Sequence, residues 1–557
     1  MRKIENMLRA AVTAAAASLL LTTGLMTAGT LLTARQSEEQ SIAAVQESGF
    51  TMDGAITAEA ATAYSVTNKA AVIQGSNVVV TATASAIPSS DDGVYHLIAS
   101  SVNQADNVGT EVAVAYAGKS ASFVFPLNKN TASSNLCKKF TVCVKRSGAY
   151  VAVSNAIYVQ NPEATATHTT ARRDHGKKGL LPESTLLHSG TVKSAGVQQI
   201  TYNVLLGDIL SGTGITYNYN GKTYTFSKAA VGQLDDLVPL MNNQGIQVTL
   251  ILLNNWAAGG TYVHPLSRDN TSQNYYAFNT VDQAAVEKLE AVAAFLGERF
   301  SNTGHGTVDN WIVGNEINAR SPWHYMTAGA GINVFTAEYA KAFRIFYNGL
   351  KSANANCRVY TCVDNEYAVA DSSLHYAGQT WLALFNQTIS AGGNIGWDVA
   401  VHPYDYPLYD PLVWLQTTNY PTKVNHTQSS SYVTMANIDV FTDYMSTPAM
   451  LAPNGQVRSI ICSEQGYVSV PSEDYQAAAV VYGYLQALNN QHIDAFILSR
   501  EMDHQTEIAQ GLAMGIRGAN KTAKKALSWY STAETAATQA AASAIIGAPI
   551  ATLLTPR

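Results

Sequence analysis

Residues 310–320 read NWIVGNEINAR, and the fold of the C-terminal two thirds of the chain can be worked out from this stretch. Its first half, NWIV, has the composition of a buried strand, and it runs directly into the polar cluster GNEIN. A carboxamide, Asn315, and a carboxylate, Glu316, therefore stand where side chains emerge from a sheet. Polar residues at the C-terminal end of an apolar strand are typical of parallel α/β folds, whose functional sites lie at the strand ends.

Strand-like and helix-like segments alternate on both sides of this stretch. Helical spacing occurs at residues 231–245, 281–300, 336–353, 379–391, 437–446, 473–490 and 520–534. The strand-like runs are QQITYNVLL (198–206), IQVTLILL (246–253), RVYTCVD (358–364), GWDVAVHPYDYP (396–407), RSIICSEQGY (458–467) and IDAFILSRE (493–501). At least seven strands in such an alternation favour a closed (β/α)8 TIM barrel over an open doubly wound sheet. KKGLLPES (177–184) is the candidate for the first strand.

The N-terminal third has a different texture. Short β-branched runs separated by turn residues fill the region from about 66 to 160, which indicates a small all-β sandwich domain that serves in carbohydrate binding or as a spacer. We place the sandwich at residues 66–162, a linker at 163–178, the barrel at 179–535 and a C-terminal tail, helical or disordered, at 536–557. A chain of 557 residues is long enough for two such domains.

The first residues indicate export. Basic residues precede a 25-residue uncharged stretch (10–34), which is typical of a signal peptide at 1–34 and is also long enough for a signal anchor. Residues 35–65 follow as a linker. Both readings predict a secreted or cell-surface protein, with membrane contact only through the anchor. Five cysteines are compatible with export, either as disulfides or as small buried residues, and their spacing fits no zinc pattern.

Composition narrows the choice of partner. Charged residues make up only 13% of the chain and the net charge is −6, which gives no basic footprint for nucleic acid. Tyrosine is abundant, with 29 residues. A polar, aromatic-rich surface of this kind suits a neutral ligand that carries many hydroxyls.

Polar and aromatic side chains collect at the predicted strand ends, and two of them are glutamates, Glu316 and Glu464. If 177–184 is the first strand, these glutamates end strands four and seven. The other candidates for a site at this end are Asn254, Trp256, Asn315, Trp323, His402, Tyr404, Arg500 and Asp503. We assign no metal and no cofactor.

With this placement, the chain resembles the clan A retaining glycoside hydrolases over roughly residues 180–530. GNE (314–316) resembles the Asn-Glu pair that ends strand four in that clan, and CSEQG (462–466) resembles the strand-seven segment with the second glutamate. The resemblance implies that Glu316 is the acid/base, that Glu464 is the nucleophile and that the substrate is a carbohydrate. VHPY (401–404) is similar to the strand-six segment that carries a His or Tyr beside the nucleophile. In place of the clan's strand-eight Trp, this chain has SREMDH (499–504), where an Arg or His suits an acidic or modified sugar.

The chemistry accounts for two facing carboxyl groups independently of the resemblance. Retaining cleavage of a glycosidic bond uses one carboxylic acid to protonate the leaving oxygen and one carboxylate to attack the anomeric carbon. Strands four and seven face each other across a barrel mouth, so their glutamates bracket one bond. We therefore expect a secreted retaining glycoside hydrolase that acts on a poly- or oligosaccharide.

Each of these residues also has a structural interpretation. Glu316 can pair with Arg320 or Arg344, and Glu464 with Arg500. His402, Tyr404 and the two tryptophans can be packing residues, and Asp364, Glu366 and Asp503 can belong to a solvated rim or a cation site. At the level of function, the alternatives are a non-catalytic carbohydrate-binding protein of the cell surface on the same scaffold, and a structural surface protein.

Overall fold

The computed structural model describes residues 64–173 and 175–557. The predicted export segment at 1–34 and most of the linker at 35–65 lie outside these residues. Within the described ranges, no helix combines the length and the apolar character that crossing a membrane requires.

Eight short strands form two antiparallel sheets in the N-terminal region. They are β1 (Val66–Gln74), β2 (Asn77–Ala84), β3 (Val94–Ser100), β4 (Thr110–Tyr116), β5 (Ser120–Pro126), β6 (Lys139–Arg146), β7 (Ala149–Ala152) and β8 (Ile157–Tyr158). One sheet has the order β1-β2-β5 and the other β4-β3-β6-β7, with β8 paired to β6. Alternate residues, such as Val78 and Val80 of β2 and Phe123 and Phe125 of β5, point into a shared core.

Ten further strands follow, and eight of them close into a parallel barrel. They are β9 (Lys178–Leu180), β10 (Gln199–Leu205), β11 (Gly214–Tyr219), β12 (Lys222–Ser227), β13 (Gln247–Leu253), β14 (Asn310–Val313), β15 (Arg358–Val363), β16 (Asp398–Val401), β17 (Ile460–Gln465) and β18 (Ile493–Leu498). The barrel order is β9-β10-β13-β14-β15-β16-β17-β18, with β18 paired back to β9. The predicted fold class is confirmed, and the first strand falls within 177–184 as expected. Glu316 therefore follows the fourth barrel strand and Glu464 lies on the seventh.

Helices surround the barrel. They are α1 (Thr191–Ser194), α2 (Leu206–Ser211), α3 (Lys228–Asn243), α4 (Gln283–Arg299), α5 (Gly331–Ala353), α6 (Gly378–Ala391), α7 (Gln416–Asn419), α8 (Ile438–Met445), α9 (Glu473–Leu488), α10 (Gln505–Ala509), α11 (Lys525–Ser531) and α12 (Ala536–Ile546). Short 3-10 helices lie at Pro162–Thr165, Ser184–Ser189, Ala258–Gly260, Pro265–Ser267, Ala328–Ala330, Val413–Leu415 and Ile550–Thr552. The tail beyond residue 535 is thus helical in part, and the last predicted barrel helix is shorter than 520–534.

The barrel strands are apolar on both faces because both faces are covered. Outward side chains such as Val248 and Leu250 pack against the helices in the main core. Inward side chains such as Ile251, Ile312 and Ile461 fill the barrel itself. Such a filled interior leaves the C-terminal mouth as the place for a site.

The N-terminal sheets are joined to the barrel by buried polar contacts. Tyr158 N donates to Gly392 O at 3.0 Å, and the buried Asn348 Nδ2 donates to Leu136 O at 2.9 Å. The Arg344 guanidinium lies over the Tyr158 ring, 5.1 Å from its centroid. The β region therefore packs directly on the helical layer of the barrel.

A hairpin between the second strand and its helix was absent from the sequence predictions. Strands β11 and β12 pair antiparallel, and they are joined at Asn220 and Gly221, which have φ of 49° and 75°. Asn-Gly at positive φ is the typical two-residue hairpin turn, so NGK with alternating tyrosines on both sides was the available signal.

All five cysteines lie within the described residues, and all five are free and buried. The disulfide option is therefore not used in this structure. Burial raises the pKa of Cys143 and Cys462 to about 12 and that of Cys357 to about 11, so these thiols are held in the protonated form.

Candidate functional site

Glu316 is placed by a strained turn at the end of β14. Gly314 and Glu316 have φ of 81° and 38°, and the second value is unusual for a residue that has a Cβ. Glycine suits position 314 because of this positive φ, and a Cβ there would also lie 2.6 Å from Ile317 Cδ1. The turn is held to the neighbouring strand β15 by Ile317 N, which donates to Cys362 O at 2.9 Å. Backbone strain of this kind is often found at functional sites, and here it aims one carboxylate into the mouth.

Glu464 is presented directly by strand β17. Its side chain is only 4% exposed, and Oε1 has no hydrogen-bond partner among the described residues. The other oxygen, Oε2, accepts one long hydrogen bond of 3.4 Å from the Tyr404 hydroxyl. A buried carboxylate with a free oxygen is costly unless a ligand or a reaction uses it.

His402 lies between the two glutamates and is fully buried. Its Nδ1 is 2.7 Å from Glu316 Oε1, and its Nε2 is 4.0 Å from Glu464 Oε1. The same Nε2 is also 3.0 Å from Ser463 Oγ and 3.2 Å from Cys362 Sγ. One imidazole ring therefore couples the ends of strands four, five, six and seven. The contacts of His402 thus extend from the buried strands to Glu316 at the barrel mouth.

The electrostatics of the three groups are linked. Burial raises the pKa of Glu464, and the charge of Glu316 adds to this effect, while His402, Arg500 and the Tyr404 hydrogen bond oppose it. Burial alone disfavours the charged imidazole of His402, but the neighbouring Cys362 sulfur and the two glutamates outweigh it and hold the pKa of His402 well above its ordinary value.

Asn315 and Tyr404 complete this part of the site. The Asn315 side chain is buried, and no protein hydrogen bond to its amide occurs within the described part of the chain. It is therefore available to a ligand. Tyr404, next to His402, is oriented by its hydroxyl contact with Glu464, and its ring lies edge-on to the imidazole at 6.4 Å.

Tyr275 belongs to the site but was missed from the sequence. It is 2% exposed, its hydroxyl has no partner among the described residues, and its ring packs beside Trp323 at 5.8 Å. Burial raises the pKa of Tyr275 well above its ordinary value, with a further contribution from the charge of Glu464. It lies on the loop after β13, where no strand-end pattern marks it.

Three sequence candidates have structural contacts of their own. Trp323 is 4% exposed and caps the barrel interior beside Tyr275. Trp256 packs edge-on against Tyr276 at 5.4 Å. Asn254 donates to the carbonyls of Tyr262 and Ala277 at 3.1 and 3.0 Å, which shapes the loop after β13, although its Oδ1 is buried without a partner in the described ranges.

The strand-eight candidates form ion pairs. Arg500 Nη2 is 2.6 Å from Glu507 Oε1, and Lys524 Nζ is 2.7 Å from Asp503 Oδ2. Glu507 was not a sequence candidate. Arg500 pairs with Glu507 and acts on Glu464 through charge rather than through a hydrogen bond.

The acidic residues at the end of β15 are not a solvated rim. Asp364 and Glu366 are buried, and their carboxylates lie 3.0 and 3.1 Å from Nδ1 of His375. Asp364 also accepts from the Asn318 amide, which ties the loop after β14 to the loop after β15. Across the described residues, no set of three or more His, Cys, Asp or Glu side chains is arranged to hold a metal ion.

Glycoside hydrolases are among the solved structures that resemble this fold. A family 39 glycoside hydrolase from the gut symbiont Bacteroides cellulosilyticus WH2 shares 13% identity at a TM-score of 0.43, over 85% of this chain and 81% of that one. GH5_18 from Streptomyces cattleya shares 14% identity at a TM-score of 0.42, over 65% of this chain and 80% of that one. The family 1 β-glucosidase from Thermotoga maritima shares 12% identity at a TM-score of 0.37, over 61% of this chain and 84% of that one. Likenesses of this size carry no argument about activity.

No curated protein matches the sequence. A family model does: the one described as "Family of unknown function (DUF5722)" covers residues 170–551, which include the whole barrel. The chain belongs to the DUF5722 family of unknown function.

Proposed function

We propose that this protein is a retaining glycoside hydrolase in which Glu464 is the nucleophile and Glu316 is the acid/base. The observation that supports the proposal most strongly is the position of one buried histidine, His402, between the two strand-end glutamates: its Nδ1 is 2.7 Å from Glu316 Oε1 and its Nε2 is 4.0 Å from Glu464 Oε1. A structural glutamate pair has no need of this arrangement, and Glu464 Oε1 accepts no hydrogen bond from the protein in the described ranges. The substrate is a poly- or oligosaccharide, and the protein acts outside the cytoplasm.

The reaction has two displacements. In the first, Glu464 Oε1 attacks the anomeric carbon while Glu316 gives its proton to the glycosidic oxygen, which leaves as an alcohol. A covalent glycosyl-enzyme ester on Glu464 results. In the second, Glu316 takes a proton from water, the water oxygen attacks the anomeric carbon, and Glu464 leaves as a carboxylate.

His402 serves both glutamates. The 2.7 Å contact makes Glu316 and His402 a pair that shares the proton required by the leaving group. On its other side, a charged imidazole stabilises the ionised form of Glu464, which burial opposes. The free amide of Asn315 supplies a hydrogen bond to a hydroxyl of the sugar bound beside Glu464.

The first experiment is a screen of exported protein, with and without residues 1–34, against 4-nitrophenyl glycosides and natural glycans. N-terminal sequencing of material from the medium tests the export itself. The non-catalytic alternative predicts glycan binding with no turnover on any member of the panel.

The second experiment separates the two glutamates. We expect Glu464→Ala to lose turnover on every substrate, because no glycosyl-enzyme can form. Glu316→Ala should retain more activity on activated aryl glycosides, whose leaving groups need no proton, than on unactivated ones. Added azide needs no general base, so it should restore turnover in Glu316→Ala and give a glycosyl azide of retained configuration.

Glu287→Ala is the matched control, because Glu287 pairs with Lys222 at 2.7 Å on the outer surface. It should behave as wild type on every substrate. Folded Glu316→Ala with equal losses on activated and unactivated substrates, and no azide rescue, would refute the acid/base assignment.

A further inference from the structure

The residues that follow β18 form one wall of the mouth, directly beside Glu464. Gln465 of β17 pairs with Leu498 of β18, and Ser499 N donates to Gln465 O at 2.9 Å. Arg500 is the next residue, and it lies close enough to Glu464 for its charge to oppose the rise in the pKa of Glu464. Any sugar held against Glu464 therefore meets this wall.

Three cations of the wall are each paired with a carboxylate. Arg500 pairs with Glu507 at 2.6 Å, Lys524 with Asp503 at 2.7 Å and Arg517 with Glu501 at 3.4 Å. The three carboxylates are buried, with side-chain exposures of 8%, 6% and 1%. Burial, with Arg500 adding to it, lowers the pKa of His504, so this histidine is neutral near pH 7.

Although these charges are paired, two hydrogen-bond donors beside them have no protein partner among the described residues. Arg500 Nε is buried with no hydrogen-bond partner in the described part of the chain, and the same holds for the Tyr275 hydroxyl. An N–H and an O–H without partners suit the hydroxyl groups of a sugar. A sugar carboxylate instead needs an uncompensated cation, and here it would meet the negative charges of Glu464 and Glu507.

We propose that the Arg500–Glu507 pair makes this site selective for neutral sugars and excludes uronic acids. The inference rests on the proposed function and specifies its substrate class. It reverses the expectation from sequence that an arginine after strand eight suits an acidic sugar, because Glu507, seven residues further along the chain, already neutralises that arginine.

The wild-type protein provides the first test. Pairs of 4-nitrophenyl glycosides that differ only at C6, glucoside against glucuronide and galactoside against galacturonide, are compared as α- and β-anomers. We expect kcat/KM for the neutral member to exceed that for the uronide by at least about 10-fold, the loss typical of an uncompensated charge. A uronide preferred over its neutral partner overturns the proposal.

Glu507→Gln provides the second test, since it frees Arg500 with little change in side-chain volume. The ratio of kcat/KM for uronide over neutral glycoside should rise by about 10-fold, because a charge-assisted contact with the uronide becomes possible. Taking the ratio within one enzyme cancels any effect on the chemical step. Asp474→Asn, which removes the carboxylate paired with the exposed Lys525, is the control and should leave the ratio unchanged.

Removing one member of a buried pair can destabilise the fold. The double variant Arg500→Met with Glu507→Leu removes both charges, and it should keep the wild-type preference for neutral sugars. A rise in the ratio in this double variant, or an unchanged ratio in folded Glu507→Gln, contradicts the role given to the pair.

Acidification is a test that needs no variant. Burial raises the pKa of Glu507 to about 7, with opposing effects from Arg500 and further rises from Glu464 and Asp503. Lowering the pH from about 8 to about 6 protonates Glu507 and frees the charge of Arg500, while the uronide stays ionised. The ratio of kcat/KM for uronide over neutral glycoside should therefore rise as the pH falls over this range. A ratio that falls counts against the proposal.

A failure of the proposed function can be told apart from a failure of this inference. If no aryl glycoside is hydrolysed, catalysis is refuted and selectivity is measured by saturation-transfer NMR with methyl glycosides and the matching methyl uronides. Binding of the neutral members alone supports the inference. Binding of the uronides, or of neither class, overturns it.

Discussion

His402→Asn should move the acid limb of the activity profile to higher pH. The amide of Asn can still donate to Glu316 in the place of Nδ1, but it carries no charge. At 4.0 Å from Glu464 Oε1, a charged imidazole stabilises the carboxylate by about 4 kcal/mol at an effective dielectric constant of about 20. Because this charge opposes the raised pKa of Glu464, its loss raises that pKa further. A higher pH is then needed to ionise the nucleophile.

The size of the effect follows from the same energy. Where Glu464 is mostly protonated, a loss of about 4 kcal/mol lowers its ionised fraction by roughly 10²- to 10³-fold. We expect kcat/KM on the best aryl glycoside of the panel to fall by up to that factor on the acid limb, and to approach the wild-type value as the pH rises beyond that limb.

The assay is a pH–rate profile of kcat/KM between pH 4 and 9, with circular dichroism at each pH to confirm the fold. His426→Asn is the control, since His426 also contacts a carboxylate, Asp439 Oδ1 at 2.9 Å, but it lies on a different part of the barrel. A folded His402→Asn whose acid limb coincides with that of wild type would refute the electrostatic role of this histidine.

Three further predictions concern stability and reactivity. Burial alone would lower the pKa of His375, but the flanking carboxylates of Asp364 and Glu366 raise it well above its ordinary value. The stabilising charge of His375 is therefore present at low pH and lost as the pH rises through the raised pKa. His375→Asn should lower the melting temperature more at pH 6 than at pH 10. Gly349→Ala should destabilise the protein, because a Cβ at 349 would lie 2.6 Å from that of Ala293, whereas Gly232→Ala in α3 meets nothing within 4 Å and should stabilise it by about 0.5–1 kcal/mol. Ellman's reagent should label none of the five buried cysteines before unfolding, and fast labelling of even one would contradict their packing.

The barrel fold could be predicted from the sequence, because the barrel strands are short apolar runs that end in polar residues at regular intervals. The same ends carried Glu316, His402 and Glu464, since a parallel barrel gathers its strand ends whatever the loops between them do. This part of the site depends on position along single strands, which a sequence displays directly.

What the sequence did not reveal depends on contacts between segments. Tyr275 lies on the loop after β13 with its ring beside that of Trp323 from another loop, and no periodicity marks it. The net charge of the strand-eight wall depends on which carboxylate pairs with Arg500. The sequence does not settle this, because Glu501 and Asp503 both precede Glu507 in the chain. The strained turn at Glu316 likewise results from its tie to the neighbouring strand rather than from a local motif.

Trapping of the glycosyl-enzyme tests the central claim most directly. The 2,4-dinitrophenyl 2-deoxy-2-fluoro glycoside of the sugar preferred in the panel is incubated with the protein, and the labelled peptide is identified by mass spectrometry, with Glu464→Gln as the control. We predict one covalent fluoroglycosyl group per chain, attached to Glu464 and absent from the control. Attachment to any other residue, or turnover of the parent substrate with inversion and no label, would contradict the assignment of Glu464 as the nucleophile.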